Sequence, residues 1–275
     1  MKDKIYAGLQ TFSRSIIQPV MFMAVAGIII AISAIFRLEQ MPAFLNVIGD
    51  FFFETLVGGM ISNLSVIFAV GIAAAMVPDK KTDAAILGIA SFMIFLYANN
   101  FWLNYTGRLA EAGEFGLAGT GQGNVLGVQV TDMGVFLGIV IGTLTGYIVN
   151  KYKNVKFHKY LSPYEGTKFA FLILIMIISV FAIGITYVWP YVNDFINMLV
   201  DWMARSGAFG FFGYGFINRL ALPFGLHHLL WMPLYYTPLG GTATIAGEQF
   251  HGAMNIWLGQ LGSISEVTSI HSSIG

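Results

Sequence analysis

Long apolar runs constrain this chain more than any other feature of its sequence. Crossing the hydrocarbon core of a bilayer takes about 20 apolar residues, and a backbone in lipid must satisfy its own hydrogen bonds, which favours the α-helix. Only 10% of the 275 residues are charged and 56% are hydrophobic. Five runs have about the required length and contain no lysine, arginine or carboxylate: Ile16 to Phe36, Leu56 to Met76, Ala84 to Leu103, Met133 to Val149 and Phe169 to Trp189. The sequence therefore predicts an all-α polytopic membrane protein with five clear transmembrane helices.

A sixth hydrophobic region, Ala208 to Tyr236, is interrupted by polar residues and prolines. It contains the segment NRLALPFGLHHLL, residues 218 to 230. Pro223 removes a backbone donor and Gly225 relaxes the local backbone, so a helix is expected to break there. Broken helices at membrane depth are tolerated where they line a cavity. We therefore predict a broken helix or a re-entrant segment in this region.

The basic residues predict how the helices are oriented. With a cytoplasmic N-terminus, ten lysines and arginines lie inside, three (Arg37, Arg108 and Arg205) lie outside, and Arg219 falls in the sixth region. Because cytoplasmic loops carry an excess of Lys and Arg, this distribution favours a cytoplasmic N-terminus. The first residues lack a short apolar core followed by a small-residue cleavage site, so a cleaved signal peptide is not predicted.

Other stretches are too polar to cross a membrane. Three of them place apolar residues at helical spacing and are predicted to be amphipathic interfacial helices: Lys4 to Ser15, PAFLNVIGDFFFETL (42–56) and YVNDFINMLVDWMARSG (191–207). The glycine-rich stretch EAGEFGLAGTGQGNVLG (111–127) lacks the preceding strand and following G-K-[ST] of a phosphate loop. We predict a flexible external loop there.

Composition also excludes several kinds of chemistry. The chain has no cysteine, so it holds no disulfide, no thiolate metal site and no cysteine nucleophile. Fourteen basic and fourteen acidic residues balance, and nothing suggests a nucleic-acid partner.

Arg219 and the adjacent histidines His227 and His228 are the candidate functional groups. An arginine in lipid costs several kcal/mol, so Arg219 should face protein or water, either contacting a ligand or being satisfied by helix-end carbonyls. Neutral imidazole both donates and accepts hydrogen bonds, which suits a ligand with hydroxyl groups. Adjacent histidines point in different directions, so only one is expected to reach a given ligand. A metal site is not favoured, because the nearby carboxylates are only Glu248 and Glu266.

The segment GYGFINRLALPFGLHHLLWMPLYY, residues 213 to 236, resembles a known motif. It is similar to the G-x-x-N-R-x-x-x-P-x-G-L-H-H segment of the EIIC membrane component of the bacterial phosphoenolpyruvate-dependent sugar phosphotransferase system (PTS), glucose superfamily. FSRSIIQPVMFMAVAGIIIAI resembles the first transmembrane helix of that family. NVLGVQVTDMGVFLGIVIGTLTGYIVNKYKNVKFHKYL resembles its fourth helix and basic cytoplasmic loop. The resemblance covers essentially the whole chain.

The resemblance implies a homodimeric sugar permease in the bacterial cytoplasmic membrane. Residues 1–190 would form scaffold and dimerisation helices, and residues 191–275 the first part of a sugar-binding transport domain. Arg219 and His227 would contact the sugar, supported by Asn218, Gly225 and His228. The sugar, of glucose, glucoside or N-acetylglucosamine type, would be phosphorylated by a phosphocysteine of an EIIB partner. Neither a cofactor, nor a metal, nor a catalytic residue is expected in this chain.

One family feature is missing from the sequence. The family carries a downstream G-[IV]-T-E motif whose glutamate contacts the sugar, and this motif does not occur before Gly275. We therefore expect a truncated product, a fragment or one part of a split protein, with an incomplete transport domain. Glu248 does not replace the missing glutamate, although GGTATIAGEQFHGAMNIWLGQL is a candidate lining of the sugar path.

Two other functions remain open from the sequence. An ion- or proton-coupled secondary transporter would use the histidines and Arg219 as a proton relay, but the five runs lack the membrane carboxylates that such a relay needs. A non-transporting membrane sugar sensor or scaffold is the second alternative.

Overall fold

The structure is a computed structural model in which the described part of the chain is mostly helical. It describes residues 15, 21–23, 25–38, 40–111, 117, 120–221, 242–245, 248–251, 253 and 256–257. The α-helices are α1 (Met21–Phe36), α2 (Ala43–Leu56), α3 (Leu64–Met76), α4 (Lys81–Tyr105), α5 (Val135–Tyr152), α6 (Thr167–Arg205) and α7 (Gly207–Ala221). The strands are β1 (Gln122–Val125), β2 (Val128–Thr131), β3 (Thr242–Ile245) and β4 (Glu248–His251).

Four helical stretches among the described residues are long and apolar enough to cross a membrane. They are Ala43–Met60, Pro78–Tyr105, Val135–Tyr152 and Thr167–Phe195. The last three coincide with predicted spans three, four and five, which confirms those helices. Among the described residues α1 and α3 are apolar but shorter. Residues 16–20 of the predicted first span lie outside the described residues, so that span stays a prediction.

The predicted span Leu56 to Met76 is wrong in its bounds. A π-helical turn, Val57–Ile61, prolongs α2, and α3 begins only at Leu64. The backbone N–H and hydroxyl of Ser62 both donate to the carbonyl of Val57, at 2.9 and 3.0 Å, and a turn follows. As a result, the stretch predicted as an interfacial helix (42–56) lies in a segment with the length and hydropathy of a span.

Helix α6 joins two elements that the sequence analysis separated. The predicted fifth span and the predicted interfacial helix 191–207 form one helix of 39 residues that contains Pro190. A proline inside a helix removes one backbone N–H donor and its ring crowds the carbonyl four residues earlier, yet α6 continues through Pro190. The interfacial helix predicted over Lys4 to Ser15 lies outside the described residues, except for Ser15.

The chain is mostly helical, as predicted, but it is not purely helical, because two short two-stranded sheets are present. Strands β1 and β2 pair across the two-residue turn Leu126–Gly127, whose φ angles are 50° and 78°. Two positive φ angles match the twist of a tight hairpin, so the end of the predicted flexible loop is an ordered strand. In the other sheet β3 pairs antiparallel with β4, and Thr242 lies opposite His251.

The chain divides into two compact units. The first contains the described residues of Met1–Val25, Asn63–Leu109 and Asn124–Val188; the second contains those of Ala26–Ser62, Ala110–Gly123 and Trp189–Gly275.

The core of the first unit is the packing of α3 against α4 and α5. Three glycines at four-residue spacing, Gly138, Gly142 and Gly146, place α5 directly on the backbone and side chains of α3. Small residues at this spacing let two helices approach closely, as in membrane helix pairs. Apolar side chains fill the space beside them: Phe68, Ile72, Val135 and Ile139.

The second unit contains a tight corner between α1 and α2. The side-chain amide of Asn46 donates to the carbonyls of Phe36 and Leu38, at 2.7 and 3.0 Å, and so satisfies the end of α1. Arg37 pairs with Asp50 at 2.7 Å. These contacts fix the turn that precedes the longest apolar part of α2.

Candidate functional site

Helix α7 positions the Asn218–Arg219 pair in its last turn. The helix begins at Gly207, whose φ of 55° turns the chain directly after α6, and it ends at Ala221. The ring of Trp202 in α6 packs against Gly213, where a β-carbon would lie 2.9 Å from it. This contact fixes α7 against the end of α6 within the second unit.

Arg219 is exposed on this helix. A cation in the last turn of a helix interacts favourably with the carbonyl end of the helix dipole. The guanidinium presents five N–H donors in a fixed fork, which suits ligands that carry several oxygen atoms.

Asn218 differs from its neighbour because its Oδ1 atom is buried. Among the described residues, this oxygen has no hydrogen-bond partner. A buried acceptor without a donor costs free energy, so a hydroxyl or N–H group that reaches Oδ1 gains that interaction. The last turn of α7 therefore combines an exposed set of donors with a buried acceptor.

The other predicted site residues are not brought together with this pair in the described structure. Gly225, His227 and His228 lie outside the described residues. Glu248 begins β4 and lies opposite Ile245 in the hairpin, and its backbone alone is described. No cluster of three or more His, Cys, Asp or Glu side chains able to hold a metal ion occurs among the described residues.

Sequence reasoning missed a buried polar cluster around Asn99 of α4. Its amide donates to the carbonyl of Ala182 at 2.9 Å and to the hydroxyl of Thr186 at 3.0 Å, and its Oδ1 accepts from the N–H of Thr131 at 2.8 Å. Asn99, Thr131 and Thr186 are all buried. One side chain thus ties α4 to α6 and to the end of β2.

Asp132 follows this cluster and lies three residues before the start of α5. Its carboxylate accepts a hydrogen bond from the N–H of Gly134 at 2.9 Å, just before the helix begins. Burial raises the pKa of the Asp132 carboxyl, and the Gly134 hydrogen bond offsets part of that rise. Gly134 is the residue just before the helix, so this hydrogen bond closes a local turn of the aspartate type that leads into α5.

These features define the class of protein. Several apolar helices of membrane-spanning length are typical of a polytopic membrane protein. The family model described as "Phosphotransferase system, EIIC" matches residues 13–272. The chain therefore belongs to the phosphotransferase system EIIC family.

Two curated relatives are similar over nearly the whole chain. The "PTS system glucose-specific EIICBA component" of Staphylococcus carnosus is 29% identical over 269 residues, which cover 95% of this chain and 39% of the relative. The protein of the same name from Staphylococcus saprophyticus subsp. saprophyticus is 28% identical over 279 residues, which cover 98% of this chain and 40% of the relative. The chain thus spans about two fifths of the length of these curated relatives.

Proposed function

We propose that this chain is the translocating part of a sugar permease, of glucose, glucoside or N-acetylglucosamine type, in the bacterial cytoplasmic membrane. The observation that carries the proposal is the match to the EIIC family over residues 13–272, which includes the N-R pair in the last turn of α7. Glucose-specific relatives make a hexose the first ligand to test. The N-terminus is cytoplasmic in this proposal, in keeping with the excess of basic residues on that side.

Arg219 and His227 contact sugar hydroxyls in this proposal. Support for Arg219 comes from its exposure and from the buried Oδ1 of Asn218 beside it, which has no hydrogen-bond partner in the described part of the chain. Sugar hydroxyls are donors and acceptors at once, so they can satisfy both side chains. Gly225 and His228 support the segment, and Glu248 contributes to the lining of the sugar path.

Residues 1–190 act as the scaffold through which two copies dimerise, and residues 191–275 act as the first part of the sugar-carrying domain. The long helix α6 connects them in sequence. Small-residue packing between α3 and α5 supports the scaffold role, because a closely packed helix core resists deformation.

An EIIB protein or domain supplies the phosphoryl group. Its phosphocysteine S–P bond breaks as a sugar hydroxyl oxygen bonds to phosphorus and releases its proton. This chain has no cysteine, so the phosphoryl donor belongs to the partner. The names of the two relatives, EIICBA, place B and A components with the C component in one protein.

Reconstitution tests this function against the secondary-transporter alternative. The chain is inserted into proteoliposomes and supplied on one side with a purified glucose-type EIIB, its phosphorylation partners and phosphoenolpyruvate. We expect labelled sugar to enter as sugar phosphate, only when EIIB can be phosphorylated, and without sensitivity to a protonophore. Uptake of unmodified sugar that is driven by a pH gradient would contradict the proposal and support a proton-coupled transporter.

A further inference from the structure

The connection between α5 and α6 is closed at its base by backbone and side-chain hydrogen bonds. The N–H of Gly166 donates to the carbonyl of Val155 at 3.1 Å, and a carboxylate oxygen of Glu165 accepts from the N–H of Phe157 at 2.8 Å. Gly166 has a φ of 66°, a conformation that favours glycine. Residues 155–166 thus form a compact loop whose ends meet.

Aromatic packing anchors this base to α6. The rings of Phe157 and Phe169 meet edge to face at 4.9 Å, and Tyr152 meets Phe169 in the same way at 5.6 Å. In contrast, every residue of the tip, 158–164, is exposed. The tip presents Tyr160, Leu161 and Tyr164 with relative exposures of 88%, 55% and 64%. An ordered base therefore holds three large, mainly apolar side chains outward.

The charge around the tip is strongly positive. Between residues 151 and 168 there are five lysines and one carboxylate, Glu165, which bonds within the loop. Lys153 pairs with Asp79 at 2.6 Å. The other four lysines are exposed and form no ion pair among the described residues: Lys151, Lys156, Lys159 and Lys168.

We propose that the tip, residues 158–164, inserts into the membrane interface and that Lys156 and Lys159 bind anionic lipid headgroups there. α5 ends at Tyr152 and α6 begins at Thr167, and both are long and apolar enough to cross a membrane. The loop between them therefore emerges at headgroup depth. Tyrosine rings favour this zone, and lysines beside it are attracted to anionic lipid. A soluble protein partner would not require apolar side chains at this depth.

A single spin label tests this proposal. The chain has no cysteine, so Ser162→Cys creates one labelling site at the tip of the full chain. The labelled protein is reconstituted into vesicles of pure phosphatidylcholine, or of equal parts phosphatidylcholine and phosphatidylglycerol, at low salt. Collision with oxygen, which partitions into lipid, is compared with collision with a neutral nickel chelate, which stays in water. We expect the label in anionic vesicles to be accessible to oxygen and shielded from nickel, and to lose much of that shielding in neutral vesicles.

Paired charge variants identify the lysines responsible. Lys156→Gln with Lys159→Gln should abolish the difference between the two lipids. The matched control, Lys80→Gln with Lys81→Gln, removes the same charge from the start of α4 and the turn before it, and should preserve the difference between the two lipids. The proposal is overturned if the label is equally exposed to nickel, or equally shielded from it, in neutral and anionic vesicles. It is also overturned if the two variant pairs lose the difference between the lipids to the same extent. Shielding of the label from both oxygen and nickel would indicate a protein contact and would overturn the proposal. Shielding that appears only when soluble EIIB is added would overturn it as well.

This proposal does not rest on sugar transport, because the label reports on loop depth without any sugar or phosphoryl donor. A failed uptake assay and a failed labelling assay are therefore separate outcomes.

Discussion

Gly142 of α5 faces the backbone of α3 so closely that a β-carbon built on it would lie 2.7 Å from the carbonyl oxygen of Ala69. It would also lie 2.9 Å from the β-carbon of Ile72. Neither atom belongs to the free end of a flexible side chain, so the helices themselves must separate to accept a methyl group.

Gly142→Ala should therefore destabilise the protein by about 1–3 kcal/mol, the usual cost of overpacking a tight core. Thermal unfolding in detergent measures the effect. Gly184→Ala on α6 is the matched control, since a β-carbon there would meet nothing within 4 Å. The control should leave stability unchanged or raise it, by up to about 1 kcal/mol from helix propensity. Equal effects of the two substitutions would contradict the close packing of α3 and α5.

Asn99→Ala should destabilise the first unit and loosen the hairpin. The substitution leaves the buried N–H of Thr131 without its acceptor, at a cost of about 1–3 kcal/mol, whereas the carbonyl of Ala182 keeps the hydrogen bond from the hydroxyl of Thr186. Thermal unfolding and proteolysis of the hairpin are the measurements. Asn100→Ala, which removes a single part-buried hydrogen bond to Gln129, should cost less. A hairpin equally protected in both variants would refute the anchoring role of Asn99.

Leu126→Gly should stabilise the hairpin. Leu126 has a φ of 50°, and its side chain is 45% exposed. Replacing it with glycine therefore removes only part of the packing of a fully buried leucine. A residue with a β-carbon in this conformation costs about 1–2 kcal/mol relative to glycine. We expect a higher unfolding temperature, and a lower one would show that the leucine side chain contributes more than its backbone costs.

Asp132 should make the stability of the folded protein depend on pH. Burial raises the pKa of this carboxyl in the folded protein above its unfolded value, so the folded state binds the proton more tightly. The contribution of Asp132 to the stability of the folded state is therefore unfavourable at neutral pH. It becomes more favourable as the pH falls through the pKa of the folded state towards the pKa of the unfolded state. Asp132→Asn keeps an acceptor for Gly134 and removes the charge. The difference in unfolding temperature between the variant and the unmodified chain should be largest at neutral pH, with the variant more stable, and should shrink in acid. A difference that is constant with pH would contradict this assignment.

Much of the helical architecture follows from residue patterns. Spans three to five were predictable because apolar runs of membrane length have few alternatives to a helix. The turn at Ser62 was not, since serine and the preceding glycines are compatible with a continuous apolar helix. The Gly138, Gly142 and Gly146 spacing is visible in the sequence and could have predicted the α3–α5 contact. The hairpin at Leu126 was hidden by a leucine where glycine or asparagine is usual.

The candidate site was predictable only in part. The N-R pair identified the end of α7 from the sequence, because an arginine in an apolar segment demands a polar environment. The bonds of Asn99 could not be foreseen, since its partner Thr186 lies 87 residues further along the chain. His227, His228 and Gly225 keep their proposed roles as predictions from the family resemblance.

Calorimetric titration of the purified full chain with glucose, N-acetylglucosamine and maltose tests the central claim most directly. We predict that one of these sugars binds and that Arg219→Ala weakens binding by about 10- to 100-fold, the loss expected for a hydrogen bond to a charged group. Arg205→Ala, which removes an exposed arginine from the end of α6, should bind as the unmodified chain does, and both variants should keep its oligomeric state and unfolding temperature. Sugar binding that is unchanged by Arg219→Ala would contradict a sugar site at the end of α7.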